Sequence, residues 1–326
     1  MDRAADRPIV LLGCPRSGTT LLQLMLHRHP RIAIPPETRF LLPAYEHRLE
    51  FGDLHDPASR RELARWIVAR KPTRFDELGI DAETVTNAIV EGPPTIGSAF
   101  AAVFRAYAER FGKPRWGDKR PAYYQHVEVI RRLFPNAQFV HLVRDGRDAV
   151  ASLVEVPWWK QSFAAAVSTW AQAIDDMRWA AHRLPEDSYH ELRYESLVTD
   201  PTTELKKLCL FLGEDYDEAM TEPEAVATVA VPQRKKWHAM TRVPVTDEHV
   251  GIWRERLTGE QAQLCEAMLA SRLRANGYAL DGLPRPPLRA VLDYRKVEAH
   301  RRLAVLKNRA IDRRRRMAER GPVAAQ

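Results

Sequence analysis

PIVLLGCPRSGTTLLQLM, residues 8–25, is the stretch whose reading decides the fold. Four apolar residues, 9 to 12, run without alternation, the pattern of a strand buried on both faces in a parallel sheet. Gly13 follows. From Ser17 onward Leu21, Leu22, Met25 and Leu26 recur at helical spacing, and Pro30 ends the run. A strand, a glycine-containing turn and a helix N-terminus in that order make an anion site, because the first backbone N–H groups of a helix have no intrahelical acceptor. Gly13 and Gly18 keep the spacing of the G-x-x-x-x-G-K-[ST] phosphate loop, and Thr20 stands where its hydroxyl residue belongs. Thr19 replaces the lysine that grips outer phosphates, while a cation, Arg16, lies inside the loop. Such a loop suits one phosphate carrying another small anion. Arg16 would neutralise it, and Ser17, Gly18, Thr19 and Thr20 would donate hydrogen bonds.

Outward from this stretch, strand and helix patterns alternate. Residues 31 to 45 read as a loop and then a helix beginning near Pro35-Pro36-Glu37. Residues 58 to 112 are helical, with breaks at Lys71-Pro72 and at Gly92-Pro93-Pro94, as an inserted cap. A second strand runs from 138 to 143, a long helix from 163 to 183 and a third strand from 189 to 193; helices at 201–212 and 258–275 complete the body. The alternation predicts a three-layer α/β fold, P-loop-like, with a central mostly parallel sheet, helical insertions and a basic C-terminal helix. Pro284, Pro286 and Pro287 divide the chain into a catalytic domain, 1–283, and a helical tail, 284–326. The second strand opens HLVRDGRDAVAS, 141–152. It delivers Arg144 to its carboxyl end, where α/β folds bind ligands, and Ser152 lies about two helical turns on. Together they could hold a second phosphate; a solvated turn with an Asp–Arg pair is the plainer reading of that segment alone.

With 326 residues and 45% hydrophobic content the chain can bury a sizeable core. The net charge of +7 is local: residues 288 to 320 hold 12 Lys or Arg against 4 Asp or Glu, so the remainder is close to neutral. The basic balance therefore does not argue that the body grips a polyanion, and no specific nucleic-acid partner is expected. Cys14, Cys209 and Cys265 have no metal-like spacing, and no H-E-x-x-H occurs, so neither a disulfide framework nor a metal is expected. The opening MDRAADRPIVLLG is too short in apolar residues for a leader or a membrane span, which makes a cytoplasmic, reduced protein the expectation.

The two anion elements together resemble the sulfotransferases that use 3′-phosphoadenosine-5′-phosphosulfate (PAPS). In that family a P-[RK]-S-G-T-T loop holds the 5′-phosphosulfate and an R-x7-S element holds the 3′-phosphate; Pro15 to Thr20 match the first, Arg144 and Ser152 the second. The resemblance implies the sulfotransferase type of P-loop-like fold, PAPS as donor co-substrate and no obligatory metal. PRSGTTLLQLMLHRHP followed by PETR is similar to the tyrosylprotein sulfotransferase branch. There the carboxylate before the Thr is the catalytic base, which falls on Glu37, and the motif's arginine falls on Arg39, on the acceptor side. WGDKRP looks like the family's K-D-P-type segment and puts Lys119 beside the leaving phosphate. RYESLVTDPTTELKKLCLFLG implies that Tyr194 meets the adenine, and GIWRERLTGEQ resembles the late tryptophan segment at Trp253. Where those enzymes carry a lysine before Pro-Val, this chain has Val243, with Arg242 one position earlier.

The implied reaction is in-line displacement at sulfur, with Glu37 taking the acceptor's proton and Arg16 and Lys119 stabilising charge on the departing phosphate oxygen. A P-loop kinase of a small metabolite is the rival enzyme, disfavoured by Thr19, and a non-catalytic binding module is the rival of another class. The acceptor hydroxyl is open: a small molecule, a carbohydrate, a lipid or a tyrosine would serve. Trp158 and Trp159 are candidates for an aromatic acceptor wall, and Trp116 for stacking on adenine or for the core. His27 and His29 fall at the far end of the loop's helix, where capping or a surface position is expected. In the tail, Leu292, Ala299 and Leu306, and likewise Leu303, Ala310 and Met317, recur every seven residues. That narrow stripe on a basic helix is fit for docking on the body, on a partner helix or on an anionic membrane surface, or for none of these. RRRR at 313–316 could touch nucleic acid nonspecifically.

Overall fold

The computed structural model describes residues 7–226, 245–319 and 321–326. Its centre is a parallel sheet of β1 (Ile9–Leu12), β2 (Ile32–Ala33), β3 (Arg115–Lys119), β4 (Gln138–Val143) and β5 (Tyr189–Arg193), in the order β2-β3-β1-β4-β5. All four pairings are parallel, with Ile9 opposite both Gly117 and Gln138. Because parallel neighbours need crossovers, helices cover both faces, and β1 is buried along its whole length. Its four side chains divide between two cores. Val10 and Leu12 face the larger, with Phe104, Trp116 and Trp170; Ile9 and Leu11 face the smaller, with Leu22, Leu192 and Leu205. Each such aliphatic side chain contributes about 1.5–3 kcal/mol by leaving water.

The helices follow in chain order: α1 (Thr19–Arg28), α2 (Leu41–Glu46), α3 (Pro57–Ala69), α4 (Ala82–Glu91), α5 (Ile96–Glu109), α6 (Val127–Leu133), α7 (Gly146–Val154), α8 (Phe163–Ala181), α9 (Tyr194–Thr199), α10 (Pro201–Leu212), α11 (Trp253–Arg256), α12 (Gly259–Ala275) and α13 (Leu288–Met317). Several begin at a side-chain cap: Asp56, Asp81, Thr95, Ser162, Asp200 and Thr258 each accept a first-turn N–H. Helix α1 begins instead at Gly18, left-handed with φ 94°, with no side-chain cap. Its first N–H groups are left to face the loop.

One expectation changes and one open alternative is resolved. The helix expected at Pro35-Pro36-Glu37 starts only at Leu41, since residues 34–39 stay irregular after β2. Pro35 and Pro36 donate no N–H, and Gln23 accordingly reaches from α1 to donate to the Pro35 carbonyl at 2.8 Å. Trp116 belongs to the core, stacked on Phe104 at 5.0 Å and edge-on to Phe134 at 5.2 Å, and not to a ligand surface. The tail does not hang free. Helix α13 lies against α8, buries Tyr294, and its Arg301 hydrogen-bonds Thr169. Past its end, Glu319 pairs with Arg48 at 2.6 Å and with Arg132 at 2.6 Å. Residues 323–326 bond to Gly97, Leu133 and Ser98. Among the described residues no helix is long and apolar enough to cross a membrane.

Candidate functional site

The carboxyl ends of β1, β3, β4 and β5 open into one cleft of about 850 Å³. It is lined by Arg16, Gly18, Thr19, Thr20, Glu37, Arg39, Lys119, Arg144, Ser152 and Tyr194. Most residues singled out in the sequence for donor or chemistry are thus brought to one place; Ser17 is buried and does not line it, and neither Trp116 nor Trp253 does.

The loop is held in a strained form. Arg16 is a non-glycine residue at φ 75°, a left-handed conformation that costs energy of order 1–3 kcal/mol and points to a function. Its guanidinium Nε donates to Ser152 Oγ at 3.1 Å, while its carbonyl accepts from Arg144 Nη1 at 3.1 Å. The two anion elements, 128 residues apart, are therefore locked together by Arg16. Gly18 is required for a second reason. A Cβ there would sit 2.5 Å from the Tyr194 ring, so the phenol packs directly under the loop. Arg144 lies over the same ring, 4.5 Å from its centre, and its Nη2 donates to the His249 carbonyl at 2.6 Å. The Trp170 indole N–H holds the Arg144 carbonyl at 2.9 Å.

Next to Arg144 the local plan differs from a solvated turn. Asp145 caps α7 through the Arg147 N–H at 2.9 Å and forms a buried ion pair with the Arg147 side chain at 2.7 Å. This leaves Arg144 as the cation that turns toward the cleft. On the other wall Lys119, at the end of β3, is buried and donates from Nζ to Thr20 Oγ1 at 3.3 Å. Asp118 orients that strand end: it accepts the Lys119 N–H at 2.8 Å and the Tyr123 hydroxyl. Glu37 stands across from them, 3.7 Å from Arg39.

Electrostatics follow from burial. Arg16 is pushed down to about 10 by desolvation and then by the neighbouring Arg144, so it remains a cation at neutral pH in a place where positive charge is costly. Lys119 is lowered by burial, with Glu37 and Asp118 pulling it back up. Asp118 is pushed up to about 6 by burial. Among the described residues, Ser17 Oγ and Arg144 Nε are buried atoms without a protein partner. An anion at the N-terminus of α1 fits these groups: two orphaned donors, unsatisfied first-turn N–H groups and crowded cations all gain from it.

Further cleft residues carried no signal of their own. Arg74, left-handed at φ 60°, and Arg120, next to Lys119, add cations on the Glu37–Arg39 side. Val245, Thr246 and His249 close the Arg144 side. Of the tryptophan pair, Trp158 lines the cleft and is 45% exposed, whereas Trp159 packs against the core. His27 and His29 are both buried, not at the surface: each ring accepts a backbone N–H beyond the end of α1, from Ile34 at 3.2 Å and from Arg31 at 3.1 Å. Arg242 and Val243 lie outside the described residues. Trp253 is buried away from solvent, its N–H held by Asp148 at 2.8 Å.

Known proteins resemble this chain in sequence and in fold. The protein-tyrosine sulfotransferase of Drosophila melanogaster is 27% identical over 305 residues, which cover 90% of this chain and 55% of that protein. The human protein-tyrosine sulfotransferase 1 is 26% identical over 227 residues, 67% of this chain and 55% of its own length. The chain thus spans about half the length of these relatives. Among solved structures, the sulfotransferase domain of the Synechococcus PCC 7002 olefin synthase superposes with a TM-score of 0.58 at 25% identity, covering 84% of this chain and 95% of that domain. The sequence profile of the sulfotransferase family matches residues 8–218, most of the body and all but the Arg144-side closing residues of the cleft. The chain belongs to the sulfotransferase family.

Proposed function

We propose that the chain moves a sulfonate group from PAPS to an acceptor hydroxyl by in-line displacement. The observation that carries this is the Arg16 bridge. It joins a phosphate loop lacking its lysine to the Arg144–Ser152 element, as a donor with phosphates at both its 5′ and 3′ positions requires. Arg16, Ser17, Gly18, Thr19 and Thr20 hold the 5′ end, Arg144 and Ser152 the 3′-phosphate, and Tyr194 the adenine side. The donor supplies an activated sulfur–oxygen bond. The acceptor oxygen forms the new bond to sulfur, the bond to the 5′-phosphate oxygen breaks, and the acceptor proton passes to Glu37. Arg16 and Lys119 meet the charge that grows on the departing phosphate, a preorganised electrostatic contribution. Relatives named protein-tyrosine sulfotransferases support a tyrosine hydroxyl as the acceptor, with Trp158 as an aromatic wall and Arg39 beside the base.

Thermal unfolding with 3′-phosphoadenosine-5′-phosphate (PAP), with ATP and without ligand tests the reading. PAP at a hundred times its Kd is expected to stabilise the wild type by about 2.7 kcal/mol, and Arg144→Ala to lose that shift. Sulfation of a tyrosine peptide from PAPS then tests the acceptor. Stabilisation by ATP alone, with phosphorylation in place of sulfation, would return the chain to the kinase reading.

A further inference from the structure

Helix α13 presents to solvent the face on which its apolar residues recur. Leu288, Leu292, Leu303, Leu306 and Met317 are 72%, 59%, 65%, 61% and 74% exposed. At 100° per residue these positions, with Ala299 and Ala310 between them, fall within a narrow sector along about 45 Å of helix. The opposite side meets the body through Tyr294, Arg301 and Asp312. Exposed apolar residues in a continuous row mark an interaction surface.

Charge selects the occupant. The helix holds 11 Lys and Arg against three Asp and Glu. Arg295, Arg302 and Arg313 border the stripe on one side, Lys296, Lys307 and Arg314 on the other, and all are exposed. Two of the three carboxylates are turned away and engaged: Glu298 with Arg302 at 2.7 Å, Asp312 with Arg316 and Arg48 at 2.6 and 3.2 Å. A second copy of the same helix would set cation against cation along the stripe. Arg295 shares Glu298 with Arg302, at 3.3 Å, so the net positive charge beside the leucines is carried mainly by Lys296, Lys307, Arg313 and Arg314. Such a cationic border matches a continuous negative surface, with long side chains reaching outward while the leucines enter the acyl boundary.

We infer that α13 docks the protein on an anionic lipid surface, lying in the plane of the membrane with residues 288–317 as the contact. Both ends of the helix are tied to the body, through Leu283 on Glu266 at 2.8 Å and through Glu319 on Arg48 and Arg132. The face is therefore offered as a fixed, flat element. The inference is independent of donor and acceptor.

Co-sedimentation of the full chain with phosphatidylcholine vesicles, with and without phosphatidylserine, tests it. Binding is expected only with phosphatidylserine and is expected to fall with added salt. Lys307→Gln/Arg313→Gln/Arg314→Gln should lower the partition coefficient about a hundredfold, at roughly 1 kcal/mol for each surface cation, and Leu292→Ser/Leu303→Ser/Leu306→Ser should lower it at least as much. Unchanged unfolding temperatures would certify that both variants fold. No binding by the wild type, or wild-type binding by the leucine variant, overturns the inference. A dimer that the leucine substitutions dissolve, with no vesicle binding, overturns it in favour of a second copy.

Discussion

The base role proposed for Glu37 rests on what flanks it. Pro35 and Pro36 hold the chain extended, Thr38 is buried, and the carboxylate stands beside Arg39 at 3.7 Å and faces Lys119 across the cleft. Glu37→Gln keeps shape and hydrogen-bonding reach but removes the base. Turnover is expected to fall by about 10²–10⁴, while the PAP-induced shift in unfolding temperature stays. Loss of both would make Glu37 a structural carboxylate. The residues proposed to hold the donor were readable in the sequence since all but Tyr194 sit in two contiguous runs, each with a strand before and a helix after. Arg74 and Arg120 were not. Arg74 lies between two short 3-10 turns whose sequence has no period, and its place in the cleft comes from long-range packing alone. The Arg16–Ser152 bond was hidden for the same reason, although both partners were named.

Among the elements, β1 and β4 follow from short apolar runs and most helices from apolar periodicity, while β5 follows from its place in the alternation of strand and helix. Two strands did not. β2 is two residues long, and β3 reads R-W-G-D-K, more polar than any buried strand is expected to be. That strand is stable inside only through its partners: Arg115 bonds Gln138, the Leu212 carbonyl and Glu214, so its charge is buried as a pair. The turn from α1 to β2 has a similar internal clasp. His27 accepts the Ile34 N–H, lies edge-on to Phe111 at 4.8 Å and is brought from 6.5 down to about 3, by burial first and then by Lys113. A depressed histidine must stay neutral when folded, so its contribution is complete above 6.5 and lost as pH falls toward 3. Denaturant titrations of the wild type and His27→Gln from pH 7 to pH 4 (a range set by those two values) should converge as pH falls, by at most about 1.4 kcal/mol per unit. A difference that does not vary with pH would assign the clasp to packing.

For the whole molecule, the tail is part of the fold's stability. Removing residues 288–326 takes away Tyr294 and leaves Arg48, whose side chain is 4% exposed, without Asp312 and Glu319. Losing both ion pairs and the apolar contact of Tyr294 removes stability, so the shortened chain should unfold at clearly lower temperature in calorimetry. An unchanged midpoint would mean the tail rests on the body without supporting it. The heptad stripe was legible, but the face that docks on the body was not, because a tyrosine, an arginine and two carboxylates make no apolar pattern. The Arg48–Glu319 contact joins residues 271 apart in the chain. Closing so long a loop loses more entropy than pairing neighbouring strands, and the loss shrinks only after the sheet has drawn the intervening chain together. Loop-closure entropy therefore predicts that the sheet forms before the strap, and that in unfolding the strap opens first, with Arg48 the first buried charge to meet water.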